Sequence, residues 1–138
     1  MSANRCFFRE LDHTADLAIE VWGEDLASLL VHAAEAVFAL QGLPGAAGER
    51  AQHDIHVQAA DRETLLVDWL NELLFLSETL GEVYTTFDLA LTGEFTVSAT
   101  VEGYKGHPTK RRIKAATFHD LRITCEPGHC SARVVFDV

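Results

Sequence analysis

An apolar stripe with helical spacing runs from Asp61 to Gly81 and sets the strongest limit on how this chain can fold. Its leucines recur every three or four residues around Trp69, as residues on one face of an α-helix do. Asp61 is a favoured N-cap residue, and Gly81 suits the position just after a helix end. The stripe predicts a helix between these residues whose leucine-rich face packs in the hydrophobic core.

A second helical pattern begins at Asp25 and stops at Gly42 and Pro44. The other patterned segments alternate between apolar and polar residues, which is typical of half-buried strands. Residues 126–128 and 93–94 have turn composition, and residues 105–112 form a longer loop. The predicted strands are residues 6–11, 17–22, 54–59, 83–91, 95–104, 113–124 and 130–138.

This order of elements predicts the α+β class, with two helices packed on one face of a mixed, mostly antiparallel β-sheet. The 138 residues show no internal repeat and no second apolar cluster separated by a linker. A chain of this length can bury a sufficient core without disulfides or a structural metal. We therefore expect a single domain over residues 1–138.

The cysteines and the N-terminus predict a cytoplasmic protein that does not associate with a membrane. No apolar run is long enough to span a bilayer, and polar residues 1–4 are not followed by a signal-peptide core. Three cysteines are an odd number, which argues against a disulfide framework. Cys125, His129 and Cys130 lack a fourth ligand at zinc-site spacing, so a hairpin turn is the better interpretation.

The charge is distributed unevenly. The formal net charge is −10, yet seven of the 11 Lys and Arg residues lie in residues 101–138, with only four of the 21 acids. An acidic body disfavours stable, direct binding of nucleic acid, because that affinity comes mainly from neutralising phosphates. It favours a basic protein partner. The basic run at residues 105–114 is interpreted as a solvated loop, with contact to a phosphate or an acidic surface as the alternative.

Acidic groups also occur near both ends of the chain. Asp16 closes the polar segment 11–16, and Asp137 precedes Val138, whose main-chain carboxylate adds a further negative charge. Chain ends often lie close together, so these three carboxylates could converge and would then need a proton, a basic side chain or a cation. Spacing alone favours the commoner alternative, in which Asp16 starts a strand or caps a turn and the terminal acids are solvated.

The sequence contains no nucleotide-binding fingerprint and no evident nucleophile with its base. The adjacent His119 and Asp120 are the best remaining polar pair, with Lys114 upstream. His119 could act as a general acid or base, although such a histidine more often satisfies a backbone carbonyl. On a continuous strand, alternation would place Lys114 and His119 on opposite faces.

Four segments in order, residues 11–16, 69–74, 114–119 and 136–138, resemble the archease family over essentially the whole chain. The resemblance implies an accessory protein of the RtcB-type RNA ligase, which joins a 3′-phosphate or 2′,3′-cyclic phosphate end to a 5′-hydroxyl end in tRNA splicing and RNA repair. Such a protein is not itself an enzyme. It promotes guanylylation of the ligase's active-site histidine and multiple turnover.

The resemblance also implies a divalent metal site formed by Asp16, Asp137 and Val138. Ca²⁺ is the expected ion, with Mg²⁺ or Mn²⁺ as alternatives. The residues expected to support this site or the activity are Asp12, His13, Lys114 and His119.

Two other functions are compatible with the residues. One is a stand-alone metal-dependent phosphoester hydrolase that uses the same carboxylates, although no nucleophile or two-metal cluster is evident. The other is a chaperone-like binding module, suggested by the broad apolar arc of the second helix. The sequence does not indicate an oligomeric state.

Overall fold

Two long helices interrupt a series of β-strands. The structure is a computed structural model, and it describes residues 6–11 and 16–138. Asp12 and His13 lie outside the described residues. In chain order the elements are β1 (Phe8–Leu11), β2 (Leu17–Gly23), α1 (Leu26–Gln41), β3 (Arg50–Gln58), α2 (Arg62–Leu80), β4 (Glu82–Gly93), β5 (Thr96–Lys105), β6 (Ala115–Ala116), β7 (Arg122–Glu126) and β8 (His129–Asp137).

Both helices begin and end at the residues that the sequence predicted. The Asp25 carboxylate accepts a hydrogen bond from the Ser28 amide at 2.8 Å, and the Asp61 carboxylate accepts one from the Thr64 amide at 2.7 Å. These bonds satisfy amides that have no partner inside the helix. Gly81 ends α2 with φ of 66°, in the left-handed region that glycine adopts without strain.

The strands form two sheets rather than the single sheet that the sequence predicted. One sheet has the order β1-β2-β8, with both β6 and β7 pairing along the other edge of β8, and the second has the order β3-β5-β4. Every pairing among the described strands is antiparallel. The α+β class is confirmed, and the helices bridge the sheets, because α1 contacts β2 and β4 while α2 contacts β3, β4, β6 and β7.

The core lies where the helices meet the two sheets. Trp69 of α2 is fully buried, and its indole nitrogen donates a hydrogen bond to the carbonyl of Leu30 in α1 at 2.9 Å. Phe87 of β4 contacts Trp69 edge-on, and Phe38 contacts Tyr84 in the same manner. The leucine-rich face of α2 therefore packs in the core as predicted. Neither helix of the described residues combines the length and hydrophobicity needed to cross a bilayer.

The prediction of one continuous strand over residues 113–124 is wrong. Only Ala115–Ala116 and Arg122–Glu126 pair with β8, and the chain turns between them. The Leu121 amide donates to the Phe118 carbonyl at 3.1 Å, and Asp120 has φ of 53°. A turn of this kind interrupts the alternation of side chains on which the prediction rested.

The basic loop 105–112 is not simply solvated, because its backbone covers the C-terminal ends of both helices. The amides of Thr109 and Lys110 donate to the carbonyls of Gly42 and Gln41, and the amide of Gly106 donates to Gly81. The last carbonyls of a helix lack partners within it and carry partial negative charge. Basic side chains near these ends are therefore electrostatically favourable, which accounts for part of the charge asymmetry.

The cysteines also depart from the prediction. Cys125 and Cys130 face each other across the β7–β8 hairpin and form a disulfide, and Cys6 is free and exposed. The odd number of cysteines therefore did not exclude one bridge. The hairpin turn predicted at residues 126–128 is present, with Gly128 at φ of 83°.

A buried carboxylate links the three strands of the smaller sheet. Glu82 is 3% exposed and contacts Lys105 Nζ at 2.9 Å, His53 Nε2 at 2.6 Å and the Tyr84 hydroxyl at 2.7 Å. Burial raises the pKa of Glu82, but the partners outweigh it and hold the pKa below its usual value of 4.5. Burial and the hydrogen bond to Glu82 raise the pKa of Tyr84.

Replacing Glu82 should therefore lower stability in a pH-dependent way. A lowered folded-state pKa stabilises the protein above the unfolded pKa, and this contribution is lost as pH falls through the folded value. We expect Glu82→Gln to reduce the free energy of unfolding by about 2 kcal/mol at pH 7. The difference from the wild type should shrink as pH falls below 4.5. Urea unfolding at several pH values measures the loss of stability and its pH dependence, with Glu94→Gln, at an exposed glutamate, as the control.

Candidate functional site

The pairing of β2 with β8 brings two predicted site residues together. The register ends at Leu17 opposite Phe136, so the next residues are Asp16 and Asp137. Opposed residues in an antiparallel pair carry their side chains on the same face, with Cβ atoms about 5 Å apart. Asp16 is half-buried and Asp137 is exposed. Two acidic residues from distant parts of the sequence are thus placed at one end of the five-stranded sheet.

Lys114 reaches this end of the sheet from the other side of β8. Its backbone amide donates to the carbonyl of Asp137 at 2.8 Å, and the next residue, Ala115, pairs with Asp137 in the register. Val138 follows directly and is 49% exposed. We call Asp16, Lys114, Asp137 and Val138 the strand-end site. It combines the carboxylates of Asp16 and Asp137 with the ammonium group of Lys114.

Asn71 of α2 holds Lys114 in place through the adjacent strand β6. Its side-chain oxygen accepts a hydrogen bond from the Ala116 amide at 2.7 Å, and its side-chain nitrogen donates to the Ala116 carbonyl at 3.2 Å. An amide side chain can make both bonds because it carries a donor and an acceptor. The sequence analysis did not assign this role to Asn71. Its position next to the buried Leu70, within an apolar stretch of the helix, was a signal that its side chain could bond a neighbouring element.

A groove of about 470 Å³ separates α2 from β6 beside the strand-end site. Lys114 and Asn71 line it together with Phe75 and Glu78, and the Phe75 side chain is 62% exposed. Arg112 and Glu78 form an ion pair at 2.8 Å, which connects loop 105–112 to this helix. The groove therefore presents a lysine, an aromatic ring and a carboxylate to solvent.

His119 takes a different position from Lys114. Its side chain is 63% exposed and lies 3.3 Å from the Asp120 carboxylate, and its amide contacts the Thr117 hydroxyl. Thr117 in turn donates to the carbonyl of Val135 through both its amide and its hydroxyl. His119 is thus held in the turn between β6 and β7, where its contacts are local.

The donor set of the strand-end site suits a hard cation, because carboxylate oxygens are the ligands that Ca²⁺ and Mg²⁺ prefer. Within residues 6–11 and 16–138 no group of three or more His, Cys, Asp and Glu side chains is placed to hold a metal. Asp16 and Asp137 are two such side chains, and the third expected donor is a main-chain carboxylate. Three protein donors would leave coordination positions for water or a substrate oxygen.

A small α+β protein with an oxygen-rich site at its strand ends matches one known family. The model of the Archease protein family matches residues 8–138. The chain is 34% identical to protein archease of Methanothermobacter thermautotrophicus, covering 95% of this chain and 98% of that one. It is 33% identical to that of Methanosarcina barkeri over the full length of both chains. The chain therefore belongs to the archease family.

Two solved structures have the same fold. Protein 1598 of Methanobacterium thermoautotrophicum, solved in solution, is 30% identical, has a TM-score of 0.68, and the match covers 96% of this chain and 99% of that one. An archease from Thermotoga maritima, described as a possible chaperone, has a TM-score of 0.68 at 21% identity, covering 94% and 96% of the two chains. At that identity the second likeness concerns the fold.

Removing the Asn71 side chain should loosen β6 and leave its surroundings intact. We expect Asn71→Ala to reduce the free energy of unfolding by about 2 kcal/mol, because two partly buried hydrogen bonds are lost. The Ala116 amide should exchange faster with deuterium. The Ile113 amide should keep its protection, since Gln41 binds it at 3.0 Å. Glu72→Ala on the exposed side of α2 is the control, and unchanged Ala116 exchange would contradict the assigned role.

Proposed function

We propose that this protein is an accessory activator of an RtcB-type RNA ligase in tRNA splicing and RNA repair. Membership of the archease family supports the proposal. The observation that carries it is the meeting of Asp16 and Asp137 at the β2–β8 end, beside Lys114. The protein acts on the ligase and does not join RNA itself. The acidic body favours docking on the basic channel that a ligase needs for RNA.

In the proposed mechanism, Asp16, Asp137 and the carboxylate of Val138 would hold a divalent cation, preferably Ca²⁺, with Mg²⁺ or Mn²⁺ as alternatives. Such an ion supplies positive charge that can orient and neutralise phosphate oxygens. Lys114, whose backbone amide is bonded to Asp137, provides a second positive charge at the same end of the sheet, in the groove beside α2. The pairing of β8 with β2 and β6 positions Asp16, Asp137 and Lys114 before the protein binds the ligase. The arrangement favours guanylylation of the ligase by binding and orienting the nucleotide phosphates.

The aspartates are tested by conservative substitution. We expect Asp16→Asn and Asp137→Asn to lower Ca²⁺ affinity, measured by calorimetry, by about 10-fold or more, because each removes a charged donor. The ability of these variants to stimulate guanylylation of a purified RtcB-type ligase should fall together with their Ca²⁺ affinity. Asp88→Asn, an exposed aspartate on β4, is the matched control. Full stimulation by both site variants would exclude the metal from the mechanism. Phosphoester hydrolysis by the protein without ligase would instead support the hydrolase alternative.

Lys114 should separate metal binding from activation. Lys114→Met keeps much of the stem but removes the charge, so repulsion of a nearby cation is also removed. We expect Ca²⁺ affinity to stay the same or rise, while ligase guanylylation falls by about 10-fold. Lys110→Met in loop 105–112 is the control, since Lys110 is exposed and its backbone is bonded to Gln41 at the end of α1. Equal activation by Lys114→Met and the wild type would remove Lys114 from the proposed machinery.

A chaperone-like role is the second candidate, and exposed aromatic rings favour it. Phe75 is 62% exposed and Phe118 is 56% exposed, which is uncommon for phenylalanine in a folded protein. Apolar side chains of this kind can bind unfolded segments. Suppression of aggregation of an unrelated protein by the wild type, lost in Phe75→Ser, would support this role. The Asp137→Asn variant should still suppress aggregation. This result would distinguish a chaperone-like role from ligase activation, which the same substitution should weaken.

A further inference from the structure

A row of charged residues crosses the five-stranded sheet. The pairings place Arg9 of β1 opposite Glu20 of β2, Glu20 opposite Arg133 of β8, and Arg133 opposite Arg122 of β7. We call Arg9, Glu20, Arg133 and Arg122 the arginine row. Neighbouring strands are about 4.8 Å apart, so the row extends about 14 Å across the sheet. It lies on four different strands and is therefore created by the fold.

The arginine row faces away from the helices. The residues next to Glu20, Ile19 and Val21, are fully buried in the core against the helices. Because side chains alternate along a strand, Glu20 and its neighbours in the row lie on the opposite face. The side chains of Arg9 and Glu20 are 66% and 42% exposed, and Arg122 and Arg133 are exposed as well. The row is thus a solvent-facing feature of the sheet.

The row has an excess of positive charge in a protein whose net charge is −10. Arg9 and Glu20 neutralise each other in an ion pair at 2.9 Å. Arg122 and Arg133 lie directly opposite, and neither takes part in an ion pair among the residues that the structure describes. Like charges at opposed positions destabilise a strand pair. A bound anion would relieve this repulsion.

An aromatic pocket adjoins the row on the same face. Trp22 lines a pocket of about 390 Å³ together with Arg9, Glu20, His129 and Ser131. Trp22 is partly exposed, whereas the other tryptophan, Trp69, is fully buried in the core. Aromatic rings beside basic side chains bind single-stranded nucleic acid, because bases stack on the ring while phosphates meet the positive charges. The carboxylate and hydroxyl in this pocket can also bond a ribose 2′-hydroxyl.

We propose that this face of the five-stranded sheet binds single-stranded RNA, with phosphates on Arg122 and Arg133 and a base against Trp22. The inference goes beyond ligase activation and does not depend on it, because it uses none of the strand-end site. It revises the expectation, drawn from the net charge of the whole chain, that nucleic acid is not bound. Arg122 and Arg133 form a local positive surface that the net charge conceals.

Salt-dependent binding tests the phosphate contacts. With a fluorescent single-stranded RNA and anisotropy as the readout, the two arginine contacts predict a slope of log affinity against log salt of about −1.4. We expect the double substitution Arg122→Ala with Arg133→Ala to lower affinity about tenfold and to reduce the slope by about 1.4. The control is Arg50→Ala with Arg112→Ala, which removes the same charge away from this face. An equal loss of RNA affinity in both double variants would overturn the proposal.

Thermal unfolding excludes a merely structural cause. Removing the opposed Arg122 and Arg133 relieves repulsion, so the melting temperature of the double variant should be equal to or above that of the wild type. A lower melting temperature combined with lost RNA binding would assign the arginines to the fold and overturn the proposal. Retained stability with lost binding would support it.

Tryptophan fluorescence tests the stacking contact. RNA should quench the emission of partly exposed Trp22 and leave buried Trp69 unaffected, and Trp22→Phe should abolish the quenching while binding persists. DNA of the same sequence should bind more weakly, because it lacks the 2′-hydroxyl. Binding of inorganic polyphosphate or polyglutamate as tightly as RNA, or equal binding of DNA, would overturn the assignment to single-stranded RNA.

Discussion

The antiparallel pairing of β2 with β8 is the constraint on which the rest of the molecule depends. β8 pairs with β2 along one edge and with β6 and β7 along the other, so it holds the five-stranded sheet together. In this register Leu17, Ile19 and Val21 face the core. A slip of one residue would turn these side chains to the other face. It would also separate Asp16 from Asp137 and break up the arginine row, so the hydrophobic pattern of β2 protects both surfaces.

Side chains from the helices complete the exposed edge of this sheet. Asn71 binds both backbone groups of Ala116, and Gln41 binds the amide of Ile113. Arg62 and Glu63, at the start of α2, bind the carbonyl and the amide of Ile123. These bonds replace those that a further strand would make, and an edge covered in this way cannot pair with another chain. They also explain why Lys114 is held beside Asp137 although β6 contains only two residues.

The two proposed surfaces have opposite charge and share strand β8. Carboxylates predominate at the strand-end site, and arginines predominate on the sheet face. Arg133 lies four residues before Asp137, or about 14 Å along an extended strand. An RNA strand on the sheet face would therefore lie close to the groups proposed to act on the ligase. One small sheet can in this way contact a protein and its nucleic acid substrate at the same time.

The sequence by itself determined the elements whose causes are local. The Asp25 and Asp61 caps, Gly81 and the helical spacing of leucines act within a few residues, so both helices were predicted correctly, and four motifs identified the family. Only the tertiary structure decided how distant segments meet. Residues 113–124 have the composition of a strand, but a turn between Phe118 and Leu121 interrupts it, and Asn71 and Gln41 bond the backbone groups along its outer edge. The division into two sheets and the placement of Asp16 and Asp137 at one sheet end also depend on partners that are remote in sequence. Local patterns carry no information on such partners, because register and packing select them only when the whole core forms.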